Sequence, residues 1–245
     1  MTAGFVVPPS AEGSAHDHTQ HMMLNTPTLQ TRRVLRRSLV AAFVSLLALV
    51  AVGTAPAHAT GMPRNALAFE VVASANEALA ALDQFAMTSD PAQYLEFRAD
   101  RDATAALAAV QLGYDAPTMV QAWSSTPIDH QRAVLAAMSQ VGVPYRTNTS
   151  KEGVGFDCSG LTTYAWARAG VTLVRQSGSQ IRAAAPVDRA TAKAGDLVYY
   201  PGHVMLYLGV GDAIIHSVQT GRTVEIDTIS GRKSGSVRFG DPAPA

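Results

Sequence analysis

Two spacings of apolar residues divide the chain. Between residues 64 and 126 apolar positions recur every three or four residues, as on one face of a helix. Beyond residue 145 they fall in short runs bounded by glycine, proline or aspartate, as in strands. Val72, Ala75, Leu79, Leu82 and Ala86 predict a first amphipathic helix. Asp90-Pro91 offers an N-cap followed by proline at the first helical position, opening a second helix that runs to Leu112 and stops at Gly113. A short third helix is predicted over 117–123, and a fourth from Thr126-Pro127-Ile128-Asp129 through Val141, ended by Gly142. His130, in the first turn of that fourth helix, reads as a solvent-facing side chain.

The later half carries a glycine- and threonine-rich loop over 147–155, then a helix that closes at Gly170. Runs over 196–200, 203–208, 213–218 and 223–229 predict strands. Their links are too short for parallel crossovers, so the strands must pair antiparallel and the fold class is α+β. Residues 241–245 (Asp-Pro-Ala-Pro-Ala) are expected to be a disordered tail.

The first 59 residues stand apart. A basic segment at Arg32-Arg33 and Arg36-Arg37 precedes an apolar run over 39–52, and Ala57-His58-Ala59 follows. These are the three parts of a secretory signal, with cleavage expected after Ala59 and an uncleaved anchor as the alternative. The run is shorter than the roughly 20 residues a membrane-spanning helix needs. The paired arginines suit either general or twin-arginine export. After cleavage the chain has no stable membrane insertion and is exposed to an oxidising compartment, where a lone cysteine cannot form an internal disulfide.

The leader holds four of the 19 basic and two of the 19 acidic residues, leaving 15 against 17. A near-neutral chain without a basic stripe excludes nucleic acid as a partner. Three histidines remain: His130, His203 and His216.

Cys158, the only cysteine, sits in Phe156-Asp157-Cys158-Ser159-Gly160-Leu161 at the start of a predicted helix. Unpaired N–H groups and the positive end of the dipole there favour thiolate and can donate to an oxyanion. Gly160 permits close approach of another backbone. The strands over 203–208 and 213–218 form a hairpin around Gly209-Val210-Gly211-Asp212. A two-residue loop at Gly209-Val210 sets His203 directly opposite His216, and moving the loop along by one or two residues keeps both on one face. His216 can then hold one ring nitrogen of His203 and leave the other for the thiol. A pair of core histidines satisfied by backbone is a competing reading. A zinc site built on Cys158 and the two histidines is another, short of a fourth protein ligand.

Val143-Pro144-Tyr145, Gly155-Phe156-Asp157-Cys158-Ser159-Gly160-Leu161, Gly195-Asp196-Leu197-Val198, His203-Val204 and Ile215-His216 occur here in the order that resembles NlpC-type cell-wall cysteine peptidases. The resemblance covers about 110 residues and places such a domain over 127–240, behind a helical segment over 60–126. It implies a circularly rearranged papain-like fold and hydrolysis of peptidoglycan stem peptides between γ-D-glutamate and a diamino acid, without cofactor or metal. It makes Cys158 the nucleophile, His203 the base and His216 the orienting third member. Tyr145, Asp157 and Ser159 become substrate contacts, and Arg175 a partner for a substrate carboxylate. The chain departs from the pattern at Arg146-Thr147-Asn148 and at Leu173-Val174-Arg175, which bear on substrate preference. Another thiol reaction on the same frame, as in an amidase or acyltransferase, and a non-catalytic wall-binding or scaffold module are the alternatives. The helical segment is expected to buttress the domain, to cover its cleft, or to bind a regulatory protein.

Overall fold

The computed structural model describes residues 62–230 and 233–244. The leader, its cleavage after Ala59 and the anchor alternative lie outside them. Among the described residues no helix is long and apolar enough to cross a membrane.

Four helices come first: α1 (Ala68–Thr88), α2 (Pro91–Leu112), α3 (Ala116–Ser124) and α4 (Ile128–Met138). The buried stripe of α1 is Val71, Ala75, Ala78, Leu79 and Leu82; Ala86, expected on this face, is exposed. Asp90 caps α2 by accepting from the Ala92 N–H at 2.9 Å, and Gly113 ends it in the left-handed region at φ 74°. Asp115 caps α3 through the Thr118 N–H, 2.9 Å away. α4 is shorter than expected, since residues after Met138 turn before Gly142 (φ 87°).

A two-stranded ribbon, β1 (Ser150–Lys151) and β2 (Gly155–Phe156), leads into α5 (Cys158–Arg168). Then follow α6 (Ser177–Ala183), β3 (Ala185–Val187), β4 (Leu197–Tyr200), β5 (His203–Tyr207), β6 (Ala213–Ser217), β7 (Val224–Thr228) and β8 (Arg238–Asp241). The six later strands form one antiparallel sheet in the order β3-β8-β4-β5-β6-β7. The fold is α+β, as the short strand links required.

Alternation sorts the sheet into two faces. Leu197, Val204, Leu206, Ile215, Val224 and Ile226 join the main core with Leu161, Ala165 and Trp166 of α5 and with residues of α1–α4. Val198, Met205, Tyr207, Ile214 and Phe239 form a smaller cluster on the opposite face. The helical segment shares the main core. Trp123 Nε1 donates to the Leu208 carbonyl at 2.9 Å, Asn65 Nδ2 donates to the Val224 carbonyl at 3.1 Å, and the Asp212 N–H donates to the Tyr114 hydroxyl at 3.1 Å.

Two expectations are corrected. His130 is not solvent-facing but fully buried, edge-on to Trp166 at 4.9 Å. Its Nδ1 lies 2.9 Å from Asp129 Oδ1, and its Nε2 lies 3.1 Å from Asp241 Oδ1 and 3.4 Å from Asp196 Oδ1. Asp241 therefore does not begin a disordered tail; it ends β8, buried, with Lys193 Nζ 3.3 Å from its other oxygen. The reason is charge. Burial alone would lower the imidazole pKa, but hydrogen bonds to Asp196 and Asp129 and the charge of Asp241 outweigh it and raise His130 above its ordinary value. His130 thus ties α4 to the adjoining ends of β4 and β8.

Because the folded pKa is raised, the stabilisation from His130 is full below the unfolded value, about 6.5, and is lost as pH rises through the folded value. His130→Gln should lose about 3–5 kcal/mol of unfolding free energy near pH 6. The gap to wild type should narrow as pH rises above about 6.5. Urea denaturation across pH measures this, and a gap independent of pH would rule out the charged form.

Candidate active site

The placement of Cys158 begins with backbone pairing. Residues 142–145 run beside β7: the Gly142 N–H donates to the Val224 carbonyl at 2.9 Å, and the Tyr145 N–H to that of Arg222 at 2.8 Å. Phe156 joins the other side of this segment, its N–H donating to Pro144 (3.2 Å) and its carbonyl accepting from Arg146 (2.9 Å). Ser217 Oγ of β6 also donates to the Phe156 carbonyl, at 2.7 Å. The residues just before the thiol are thus tied to β7 and to β6, the strand that carries His216. Asp157 caps α5 through the Gly160 N–H at 2.7 Å, while its own N–H donates to the Thr149 carbonyl at 3.0 Å. A Cβ on Gly160 would stand 2.0 Å from that carbonyl oxygen, so only glycine fits.

The half-buried thiol faces the backbone N–H groups of Val204, Ser159 and Cys158 itself. Burial is nonetheless the largest influence, and with the Asp157 charge it pushes the thiol pKa up. The helix start alone had suggested thiolate; desolvation overrides it.

The hairpin register pairs Leu206 with Ile215 and Tyr207 with Ile214. The loop is the four residues Gly209-Val210-Gly211-Asp212, closed by the Ala213 N–H on the Val210 carbonyl at 2.9 Å. Relative to the two-residue loop at Gly209-Val210, this is the shift by two that keeps both histidines on one face. His203 and His216 are diagonal neighbours, not directly opposed, and the His203 Nε2 to His216 Nδ1 distance is 2.9 Å. The rings meet edge to face at 5.1 Å. Burial, and then the His216 charge, depress the His203 pKa to about 3.

Among the residues expected to contact substrate, Tyr145 borders the thiol: burial raises its phenol pKa, and the charges of Cys158 and Asp157 add to the rise. Asp157, Ser159 and Arg175 engage one another. Arg175 Nη2 donates to Asp157 Oδ2 at 2.7 Å, and Nη1 donates to Asp157 Oδ1 at 2.9 Å and to Ser159 Oγ at 2.8 Å. Arg175 was expected to hold a substrate carboxylate; here the fork of its guanidinium is closed on Asp157. That pair raises the Arg175 pKa.

Three residues went unremarked as site members in the sequence. Tyr200 stacks on His203 with centroids 5.3 Å apart. Gln180 is buried, donates to the Ser159 carbonyl at 3.1 Å and accepts from Thr162 Oγ1 at 2.6 Å, bracing the first turn of α5. Asp227 Oδ2 lies 3.7 Å from His216 Nε2. Strand parity was the available signal for Asp227: with Val224 and Ile226 in the main core, residues 225 and 227 share the histidine face. For metal chemistry, His130, Asp196 and Asp241 bring their ligand atoms within 4.8 Å of one another, all buried. His130 Nε2 and Lys193 Nζ already lie against Asp241, and Asp196 Oδ2 accepts the Lys193 N–H at 2.7 Å.

A thiol at a capped helix start, set beside the first residues of a strand whose imidazole is held by a second imidazole, is the arrangement of a papain-like protein. Residues 142–239 match the NlpC/P60 family, and this part of the chain is an NlpC/P60 domain. The chain is 41% identical over 122 residues to the peptidoglycan endopeptidase RipB of Mycobacterium tuberculosis, covering 43% of this chain and 49% of that protein. It is 36% identical over 108 residues to the murein DD-endopeptidase MepH of Escherichia coli, covering 40% of each. It is 37% identical over 94 residues to a γ-D-glutamyl-L-lysine dipeptidyl-peptidase of Bacillus cereus, covering 35% of this chain and 28% of that one. The chain spans less than half the length of these relatives. The family stretch holds Tyr145, Asp157, Cys158, Ser159, Arg175, His203, His216 and Asp227; His130 and the helices before it lie outside.

Two outcomes follow from this geometry. With the thiol raised and His203 lowered, the resting pair is neutral, so alkylation of Cys158 by iodoacetamide should keep accelerating past the ordinary thiol pKa of about 8.5. A plateau reached in the acid range would instead reveal a preformed thiolate–imidazolium pair. Gly160→Ala should cost about 1–3 kcal/mol, because the Thr149 backbone has to move. An unchanged urea midpoint would contradict the tight approach.

Proposed function

We propose that the chain is an exported peptidoglycan endopeptidase that cuts stem peptides between γ-D-glutamate and the diamino acid. The observation that carries this reading is the juxtaposition of a lone thiol, at an Asp-capped helix start beside Val204, with a buried imidazole pair 2.9 Å apart. In the first step the Cys158 proton passes to His203 Nδ1 as sulfur attacks the scissile carbonyl carbon. The oxyanion receives hydrogen bonds from the N–H groups at the start of α5. The C–N bond breaks, His203 returns the proton to the leaving amine, and a thioester remains. Water, deprotonated by the same ring, then attacks the thioester and releases the carboxylate and the thiol. His216 holds the His203 ring throughout.

The substrate contacts proposed are Tyr145, Asp157, Ser159 and Arg175. Carboxylate lone pairs of Asp157 not used by the cap and Arg175 suit the free amine of a stem peptide. Arg175 has N–H groups beyond the Nη1 and Nη2 hydrogen bonds that it makes, and its half-exposed side chain can give these to a substrate carboxylate. The leader supports export to the cell wall, with cleavage after Ala59. The helical segment acts as a buttress, since it bonds Gln131 and Arg132 of α4 and, among the later strands and turns, Thr223, Val224, Leu208 and Asp212.

Mass spectrometry of muropeptides after digestion tests the reading. Wild type should release fragments cut after D-glutamate, and Cys158→Ala none, with His203→Ala reduced by at least about 10³-fold. The relative named a DD-endopeptidase makes cleavage of cross-links the informative alternative: fragments cut there would move the scissile bond. Intact stem peptides beside hydrolysis of another amide would replace the endopeptidase with an amidase.

A further inference from the structure

The imidazole pair leaves one proton to be accounted for. His203 Nε2 and His216 Nδ1 are 2.9 Å apart, so one hydrogen lies between them. If His203 is to take the thiol proton on Nδ1, that atom must hold a lone pair and its own hydrogen must sit on Nε2. His216 Nδ1 then accepts, and the His216 hydrogen sits on Nε2. In the opposite arrangement His216 donates, the His203 hydrogen moves to Nδ1, and the ring can no longer act as a base. Some group must favour the first tautomer over the second.

His216 Nε2 is buried and makes no hydrogen bond among the described residues, and a carboxylate oxygen of Asp227 stands 3.7 Å from it. A carboxylate there attracts an N–H and repels a lone pair. Glu225 is the other acid on this face and pairs directly with His216 in the strand register, but its charge is already taken. Arg222 Nε donates to Glu225 Oε1 at 3.0 Å, Arg222 Nη2 donates to Oε2, and Arg64 Nε is 3.8 Å from Oε2. Among the described residues, Asp227 receives the Thr228 N–H at 2.8 Å on Oδ1 and has Arg222 Nη2 farther off at 3.8 Å. It is the acid on this face that still has an oxygen for the ring. Burial would raise its pKa, but His216, the Thr228 N–H and Arg222 hold it below the ordinary carboxylate value.

We infer that Asp227 is the positioning residue of the thiol machinery: it fixes His216 as the Nε2–H tautomer, which leaves His203 Nδ1 free to accept the thiol proton. Once that proton has moved, the positive charge on His203 is shared through His216 with a fixed anion on the next strand. The inference deepens the proposed function, resting on Cys158 and His203 as thiol and base but not on the identity of the substrate.

The test uses the full chain with three readouts. Nitrogen-15 spectra of the histidine rings in the wild type should show His216 protonated on Nε2, and an Nδ1–H tautomer would overturn the inference. Asp227→Asn should slow alkylation of Cys158 by iodoacetamide at pH 7 about tenfold, equivalent to about 1.4 kcal/mol. Muropeptide kcat should fall by a similar factor with KM within about twofold, and Asp227→Glu should restore most of both. Asn alkylating as fast as wild type would overturn it, as would a loss of hydrolysis with alkylation unchanged. Alkylation that depends on Asp227, with no stem peptide cut by any form, would sink the endopeptidase reading and support the positioning role. If the Asn variant fails to fold, the wild-type spectra and the Glu variant still decide.

Discussion

The chemistry proposed for this chain depends on one close approach: the Thr149 carbonyl lies against Gly160, in the first turn of the cysteine helix. That oxygen accepts the Asp157 N–H at 3.0 Å and leaves no room for a Cβ. Asp157 is thereby held with its carboxylate over the Gly160 N–H, and the helix begins at the thiol rather than a residue earlier or later. A one-residue slip would rotate Cys158 by about 100° around the helix axis and take it away from Val204. The ribbon, the cap and the Ser217 hydroxyl on Phe156 all serve that single registration.

The site is built on a sheet buried on both faces, which sets its electrostatics. His203 and His216 occupy positions that would otherwise be apolar, and the cost appears as a base with a pKa near 3 opposite a thiol pushed up. Neutral partners are the cheaper resting state in such surroundings. In the proposed reaction, charge appears only as the proton moves, where N–H groups at the helix start meet the sulfur and oxyanion and a carboxylate stands behind the imidazole pair. Other long-lived charges are answered by their own partners: Arg175 by Asp157 beside the thiol, Arg222 by Glu225, and His130 by its carboxylates. Fixed charges answered by their own partners do not compete for the proton in transit.

What was legible in the sequence follows from the range of the interactions concerned. Asp90-Pro91 and Gly113 bound a helix by local chemistry, and both ends hold. Histidines thirteen positions apart across a glycine turn share a face in any register shifted by an even number, so the pairing survived the error in loop length. The ring geometry did not, because that shift set them diagonal. β3 contains Pro186 and β8 contains Gly240, poor strand residues that hold there by pairing with each other and packing on Ile181 and Ala184. α6 carries Ser177, Gly178 and Ser179 in seven residues and is anchored through Gln180, whose partners lie on α5. His130 depends on Asp196 and Asp241, distant in sequence, and no local pattern could distinguish it from a surface side chain. Asp227 required the parity of one strand to be combined with the tautomer of a ring on the next.

The helices before the family stretch take their place in the same mechanics. They meet the sheet at the turn joining the two histidine strands and along β7. A Cβ on Gly209 would come within 3.0 Å of Ala122, and one on Gly211 within 2.8 Å of the Tyr114 hydroxyl. Both glycines also hold positive φ, 84° and 57°, so turn geometry and docking demand the same residue. Trp123 then bonds the last carbonyl before the turn, and Asn65 bonds the Val224 carbonyl of β7, which also accepts from Gly142 in the segment that carries Tyr145. Each of these contacts stiffens a strand bearing His203, His216 or Asp227. A proton relay through two imidazoles tolerates little drift, since hydrogen bonds weaken steeply with misalignment. The buttress proposed for the helical segment therefore works through the rigidity of the sheet, from the main core that it shares with the cysteine helix.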